Sequence, residues 1–365
     1  MWLSRGWAAL GILSVLLAGC GTASAGQPHM APTVSATAGG LQVPAIQTIT
    51  LDNFMVNYLT PAAHGVLFLG TPGTTGQQAG PSGYGALYYY DNASRQTSSV
   101  ATPTPAADGT LRGVQYVAAA GDWAAYIVAD AARSHWELWA LNLATHAQQL
   151  VDSAATEGIL FNSTQPVLDG ANLVWSATSL INGVQQNNLR VYSLASGTTR
   201  TLLTLSGSTF AFPTAMFNGT LCYVSDDGNG NRATWLWTLT GTAPTQISTE
   251  PGLSFTMNDR YVIWDDVHGM TLTLYDRTTG KQTDSWVDAC IRPALAASRP
   301  YVVCVDFNTH TYLLSQVPGG AALTFFDHQS VNNEIGVSSD RAYWVGPGQG
   351  GFWSNQIDYF DVPSQ

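Results

Sequence analysis

Apolar residues along this chain come in short alternating runs, and one form of run recurs: two or more aliphatic positions leading into an aromatic or bulky one. It is seen in VLFLG at 66–70, WAAYIV at 123–128, NLVWSA at 172–177, TLCYVS at 220–225, YVIWDD at 261–266, YVVCVD at 301–306 and RAYWVG at 341–346. With Leu69, Tyr126, Trp175, Tyr223, Trp264, Cys304 and Trp344 as equivalents, the spacings are 57, 49, 48, 41, 40 and 40 residues. The surplus in the early repeats falls in Gly-, Ser- and Asn-rich stretches. Alternation over four to eight residues marks half-buried strands. Each run is preceded by an alternating segment, such as QPVLDG at 165–170, and followed by a strand and a turn, as in LRVYSLASGTTRTLL at 189–203. Four short strands per repeat, joined by tight turns, predict the blades of a β-propeller. The expected fold is therefore all-β, a seven-bladed propeller of four-stranded blades over residues 46–365. The last repeat ends after its third strand. IQTITLD at 46–52 alternates correctly to supply the fourth, so the ring is expected to close by pairing an N-terminal strand with the last blade, which removes an open edge.

Ahead of that strand the pattern changes twice. The run AALGILSVLLAG at 8–19, with Arg5 before it, is too short for a mature membrane span and has the length of a signal-peptide core. It ends in Leu17-Ala18-Gly19-Cys20, which resembles the lipobox of bacterial lipoproteins. The resemblance implies cleavage before Cys20, acylation of that cysteine, and attachment to a membrane through the N-terminal lipid. Residues 1–19 are then a signal peptide. Residues 20–45, small, polar and punctuated by Pro and Gly without an apolar period, read as the lipidated cysteine and a flexible tether. The expected location is the cell envelope, outside the cytoplasm.

Composition narrows the partners. Of 365 residues, 10% are charged and 45% hydrophobic, and the net charge is −11 with Lys281 the only lysine. Gripping phosphates requires clustered Lys and Arg, so nucleic acid is excluded as a partner.

Within the repeat, Tyr223-Val-Ser-Asp-Asp-Gly228 is the best single match to the Ser-Asp-x-Asp-Gly turn of the TolB-type, WD40-like propellers of the bacterial envelope, which the chain resembles across residues 46–365. That resemblance implies the fold and no binding residue. Chain parity then separates the two faces of the ring. Turns between first and second, and third and fourth, strands share one face and are short, like Ala195–Thr198 and Arg277–Gly280. Loops between second and third strands share the other face with the blade-to-blade crossings, and here they are long and irregular: 71–84, 176–188, 225–233, 265–270 and 346–355. Function on a rigid scaffold is usually carried by such loops.

Several candidates fall on that face. Asp265, Asp266 and His268 form an acidic tip in VIWDDVHGMTLTLYDRTTGK at 262–281; Asp226, Asp227, His135 and His310 sit at other tips. Asp and Gly are also what hairpin turns require, so the tip is expected to be a solvated turn. Asp227-Gly-Asn229-Gly-Asn231 copies the start of a calcium loop, but Arg232 replaces the glycine of its sharp turn and Thr238 its bidentate Glu. No metal site and no cofactor is implied. Charge on the innermost strands, which line the channel, is more telling. Arg292 opens the sixth and Glu334 lies near the start of the seventh, either as a structural pair between blades or with Arg292 gripping a carboxylate or sugar. Trp353, in a Gly-rich loop, is placed for stacking. Cys222 and Cys304 fall in apolar strands; Cys290 begins the inner strand of the blade that holds Cys304, which leaves open either a bridge or free, buried thiols.

Two functions fit these features. The first is a lipid-anchored binding or scaffold module for a protein or glycan on the long-loop face. The second is a propeller-type polysaccharide lyase or glycoside hydrolase, which would need clustered histidines around a metal or a facing carboxylate pair. One inner-strand glutamate and scattered histidines favour the first.

Overall fold

The structure is a computed structural model. It describes residues 45–51, 54–72, 85–154, 159–160, 165–250, 252–266, 272–283, 290–306, 311–319, 322–327, 335–338, 341–346 and 354–363, without the side chains of residues 57, 71–72, 159–160, 180, 266 and 326–327. The signal peptide, Cys20 and the tether through residue 44 lie outside the described residues.

Seven antiparallel sheets follow one another along the chain. Blade 1 consists of Phe54–Ala62, Gly65–Pro72, Ala86–Asp91 and Gln96–Ala101, from the axis outward. Blade 2 begins at Arg112–Ala120 and blade 4 at Phe210–Phe217. Blade 5 begins at Gly252–Met257 and blade 6 at Cys290–Leu295. The inner edge of blade 3 is split into Ile159–Leu160 and Val167–Leu168, both paired with its second strand. Blade 7 comprises Ile335–Ser338, Arg341–Val345 and Gln356–Asp361, and its outer strand is Gln47–Thr50. Gln47 pairs with Tyr359 and Ile49 with Ile357, so the chain's two ends close the ring as the truncated last repeat predicts.

Strand alternation explains the core. Because side chains point to opposite faces of each sheet, every blade offers one apolar set to the blade before it and another to the blade after. The buried residues accordingly form seven clusters, one per seam, from Leu67, Leu69, Tyr126 and Val128 between blades 1 and 2 to Ile49, Leu51, Tyr343 and Phe68 between blades 7 and 1. All seven residues equated in the repeat are at most 4% exposed. Trp175, Trp264 and Trp344 are among the largest fully buried side chains.

One expectation fails on the long-loop face. Residues 176–188 are not an irregular loop. The second and third strands of blade 3 run as Asn172–Ile181 and Val184–Ser193, joined by Asn182-Gly183 with φ of 53° and 76°. Both turn residues are left-handed, the type I′ geometry that an Asn-Gly pair adopts in a two-residue hairpin. Compared with the seven-residue second strand of blade 4, Thr220–Asp226, the strand is longer by three residues, about 10 Å at the usual rise per residue.

Candidate functional site

The inner strands do not run straight. Register shifts interrupt them at Val56/Tyr58, Val114/Tyr116, Pro213/Ala215, Gly252/Phe255 and Ile291/Ala294. A bulge leaves backbone N–H groups without a ladder partner and bends the strand, and such groups must be satisfied from elsewhere. Asp265 shows how. It lies on the same side of its strand as Tyr261 and Ile263, which pack against blade 6, and it is 2% exposed. Its Oδ1 accepts the N–H groups of Leu253 and Ser254 at 3.2 and 2.6 Å, both freed by the bulge of blade 5. Its Oδ2 accepts the N–H of Arg292 at 3.1 Å, freed by the bulge of blade 6. The solvated-turn expectation is therefore corrected for this residue: Asp265 is a buried carboxylate that clasps two inner strands. Asp266 pairs through its backbone with Gly252, and its side chain is not described. His268 lies outside the described residues.

The other sites are local. Asp226 ends the second strand of blade 4 and accepts the Gly228 N–H at 2.8 Å and Arg232 Nε at 3.0 Å. Asp227 accepts Asn229 N and Asn231 N on Oδ1 and Asn231 Nδ2 on Oδ2, at 2.8, 3.1 and 2.7 Å. These bonds, that from the Asn231 side chain foremost, hold its carboxyl below the usual range. The Asp227 carboxylate, the first ligand position of the calcium-loop mimic, is thus spent inside its own turn. His135 lies between Asp108, 3.4 Å from Nε2, and Asp130, 3.6 Å from Nδ1, which ties a blade crossing to its hairpin. Arg292 stands exposed in the bulge with φ of 52°. Glu334, His310 and Trp353 lie outside the described residues, and so does any pairing of Glu334 with Arg292. Cys290 and Cys304 form a disulfide joining the first two strands of blade 6, with Cα atoms 5.8 Å apart. Cys222 is a free, buried thiol whose pKa burial pushes up to about 12.

What the sequence did not reveal is the wall of the channel. A cavity of about 710 Å³ runs along the axis and is lined by inner strands of all seven blades. Apart from Asp169, the polar groups of its described lining are neutral. Tyr58 OH and Thr60 Oγ1 donate to Val117 O at 3.4 and 3.3 Å, and Gln165 Nε2 donates to the same carbonyl at 3.1 Å and to Tyr58 OH at 3.3 Å, linking three blades. Among the described lining residues Asp169 alone is charged, and its carboxylate is taken by the N–H groups of Ala171, Asn172 and Gly219. At the long-loop mouth stands Leu253, 65% exposed. No three His, Cys, Asp or Glu side chains come together as a metal site among the described residues. The bulges that pair Leu253, Ser254 and Arg292 with Asp265 could have been suspected from one signal: Asp265 continues the alternation of Tyr261 and Ile263.

The sequence matches no protein family and no curated protein. Solved structures do match. An oligogalacturonate lyase in complex with manganese superposes with a TM-score of 0.59 at 12% identity, over 90% of this chain and 99% of its own. An oligogalacturonate lyase from Vibrio parahaemolyticus gives 0.55 at 12% identity, over 88% and 98%. The β-propeller domain of the Trilobed protease from Pyrococcus furiosus gives 0.54 at 10% identity, over 86% and 95%. At these identities the likeness is one of fold alone, and the fold is a β-propeller.

Proposed function

We propose that this chain is an extracytoplasmic propeller, anchored through a lipid on Cys20, that binds a protein or glycan at the channel mouth on its long-loop face. The observation that carries the reading is the chemistry of the channel wall. Hydroxyls and an amide, already tied to the backbone carbonyl of Val117, offer fixed neutral hydrogen-bonding positions in the same channel as the exposed Leu253. Such a surface orients a ligand through a few placed polar groups against an apolar wall, as binding pockets do. Ile181 and Val184, 48% and 52% exposed at the tip of the blade 3 hairpin, add apolar surface on the same face, which favours a protein partner. The disulfide supports export, because such bonds persist in oxidising compartments.

The test is a thermal-shift screen of the whole chain against neutral oligosaccharides, cell-wall fragments, envelope proteins and divalent metals. A ligand at a hundred times its Kd stabilises the native state by about 2.7 kcal/mol. Leu253→Glu and Gln165→Leu should each reduce that shift. Metal-dependent cleavage of an oligosaccharide would instead establish the lyase reading. Cys20→Ser should move the protein out of the membrane fraction; unchanged lipid labelling would refute the anchor.

A further inference from the structure

The short-turn face carries a second cavity, of about 780 Å³, held between blades 1 and 2 and closed on one side by blade 7. Ala63 and Gly121, joined by a backbone hydrogen bond, form the wall it shares with the channel. Tyr89 lines it from the third strand of blade 1. This tyrosine is 6% exposed, yet among the described residues its hydroxyl has no hydrogen-bond partner. Burial, with Asp91, Tyr343 and Asp122 acting in the same direction, pushes its pKa up to about 12, so it stays a neutral donor. The hydroxyl opens into the cavity, where a ligand or water can complete it. The ring's position is fixed: a Cβ at Gly65 would come within 2.9 Å of it.

Around Tyr89 the turns supply both kinds of hydrogen-bonding group. Asp91 takes the Ser94 N–H on Oδ1 at 2.6 Å, and the Ser94 bonds keep its carboxyl below the usual range, hence ionised and accepting. Asp122 lies 3.4 Å from His64 Nε2, and His146 lines the far side. Arg341 is committed to Asp361 at 2.8 Å and to the face of Tyr359, so two carboxylates face the cavity without a free counter-charge. Anionic ligands are disfavoured on that ground. A divalent cation needs three or more ligands converging on a point, and the described side chains do not converge in that way. Dispersed acceptors, together with donors from Tyr89, the histidines and Gln96, match a molecule that carries several hydroxyls. A hydroxyl both donates and accepts, whereas an ammonium only donates.

We propose that this cavity is a binding site for a neutral mono- or disaccharide, anchored by the Tyr89 hydroxyl and the Asp122 carboxylate. The site is on the face opposite the one proposed above and does not rest on that reading. The whole chain is titrated with glucose, galactose, N-acetylglucosamine and maltose by saturation-transfer NMR and calorimetry, with putrescine and galacturonate as cationic and anionic controls. At least one neutral sugar should bind saturably. Tyr89→Phe removes one hydrogen bond without changing shape and should weaken binding about five-fold, and Asp122→Asn about ten-fold. Both variants should keep the wild-type unfolding midpoint, while Leu253→Glu and Gln165→Leu should leave the sugar's affinity unchanged. Saturable binding by none of the four sugars, affinity that survives both Tyr89→Phe and Asp122→Asn, or binding of putrescine in place of sugars would each overturn the proposal. The first of these would assign the Tyr89 hydroxyl to a bound water only.

Discussion

Removing the Asp265 side chain should be among the most damaging single changes available outside the apolar core. Asp265→Ala deletes three hydrogen bonds at once, to Leu253, Ser254 and Arg292. None of the three N–H groups can return to a strand ladder, because the bulges of blades 5 and 6 have taken them out of register. A hydrogen bond to a charged acceptor contributes about 1.5–3 kcal/mol, which would sum to roughly 4–9 kcal/mol for three. The channel mouth is near solvent, and water can replace part of that, so the expected loss is about 3–5 kcal/mol. Asp265→Asn should cost less, about 1–2 kcal/mol, since its oxygen can still accept from Leu253 and Ser254 while its NH₂ meets the Arg292 N–H donor to donor. The assay is urea unfolding followed by tryptophan fluorescence, which reports on the buried Trp264 one residue away. Asp227→Ala, in an exposed and self-contained turn, is the control. If Asp265→Ala lies within about 0.5 kcal/mol of the wild type, as an ordinary surface substitution does, the clasp is not holding the two strands.

Three further outcomes follow from the same structure. Asp358 is 4% exposed, and burial raises its pKa although Thr48 Oγ1 donates to it at 2.6 Å. The folded state therefore binds its proton more tightly than the unfolded state. Its contribution is fully present below the unfolded carboxylate pKa and is lost as pH rises through the folded one, so Asp358→Asn should match the wild type at acid pH and be more stable at neutral pH. An identical pH profile for the two would refute this. Deleting residues 46–51 removes the outer strand of blade 7 with Ile49 and Leu51, 7% and 4% exposed, and should cost several kcal/mol and cause aggregation in light scattering, whereas deleting 21–40 should leave the melting point alone. Reducing the Cys290–Cys304 bond, which closes a loop of 14 residues, should lower stability by about 3 kcal/mol, read as a shift in the urea midpoint with and without reductant. Cys290→Ala/Cys304→Ala should be insensitive to reductant.

The blades were legible in the sequence because a period of 40 to 57 residues repeats an alternation that only a half-buried strand produces. The closing strand was legible for a simpler reason: an incomplete repeat at one end and an orphan alternating run at the other require each other. Three features were hidden, each by a different physical cause. The blade 3 hairpin looked irregular because Asn187 and Asn188 break the polar–apolar pattern, yet both are buried and bonded, Asn187 to Thr178, Gly207 and Thr209, and Asn188 to Ser179 and Thr204. Asp265 looked like a turn residue because paired aspartates just ahead of His268-Gly269 read as turn chemistry, and its alternation with Tyr261 and Ile263 does not by itself reveal that two bulges wait for it. The cavity around Tyr89 was invisible because its parts come from five separate segments of chain, each ordinary by itself.

The seams between blades show why polar groups had to enter the core at all. Among the described residues the cluster between blades 4 and 5 is the smallest, with Ala215, Cys222, Met257, Val262 and Trp264 as its buried members. The outer strand of blade 5, Lys281–Thr283, is three exposed residues long and covers little of it. At this seam the chain substitutes directed bonds for apolar area. Arg277, its charge disfavoured by burial, reaches from the last turn of blade 5 to Thr220 Oγ1 of blade 4 at 2.8 Å and also donates to Asn258 O. Asn218 of blade 4 donates to Asp259 of blade 5 at 2.7 Å. Across the next seam Asn258 Nδ2 donates to Ala296 O, and Asp265 clasps Arg292. A hydrogen bond is worth less than a well-packed leucine, but it fixes distance and angle, and a ring that must close on itself needs each blade set at the right angle to the next. Where the apolar residues are too few to set that angle by packing, hydrogen bonds between neighbouring turns and inner strands set it instead.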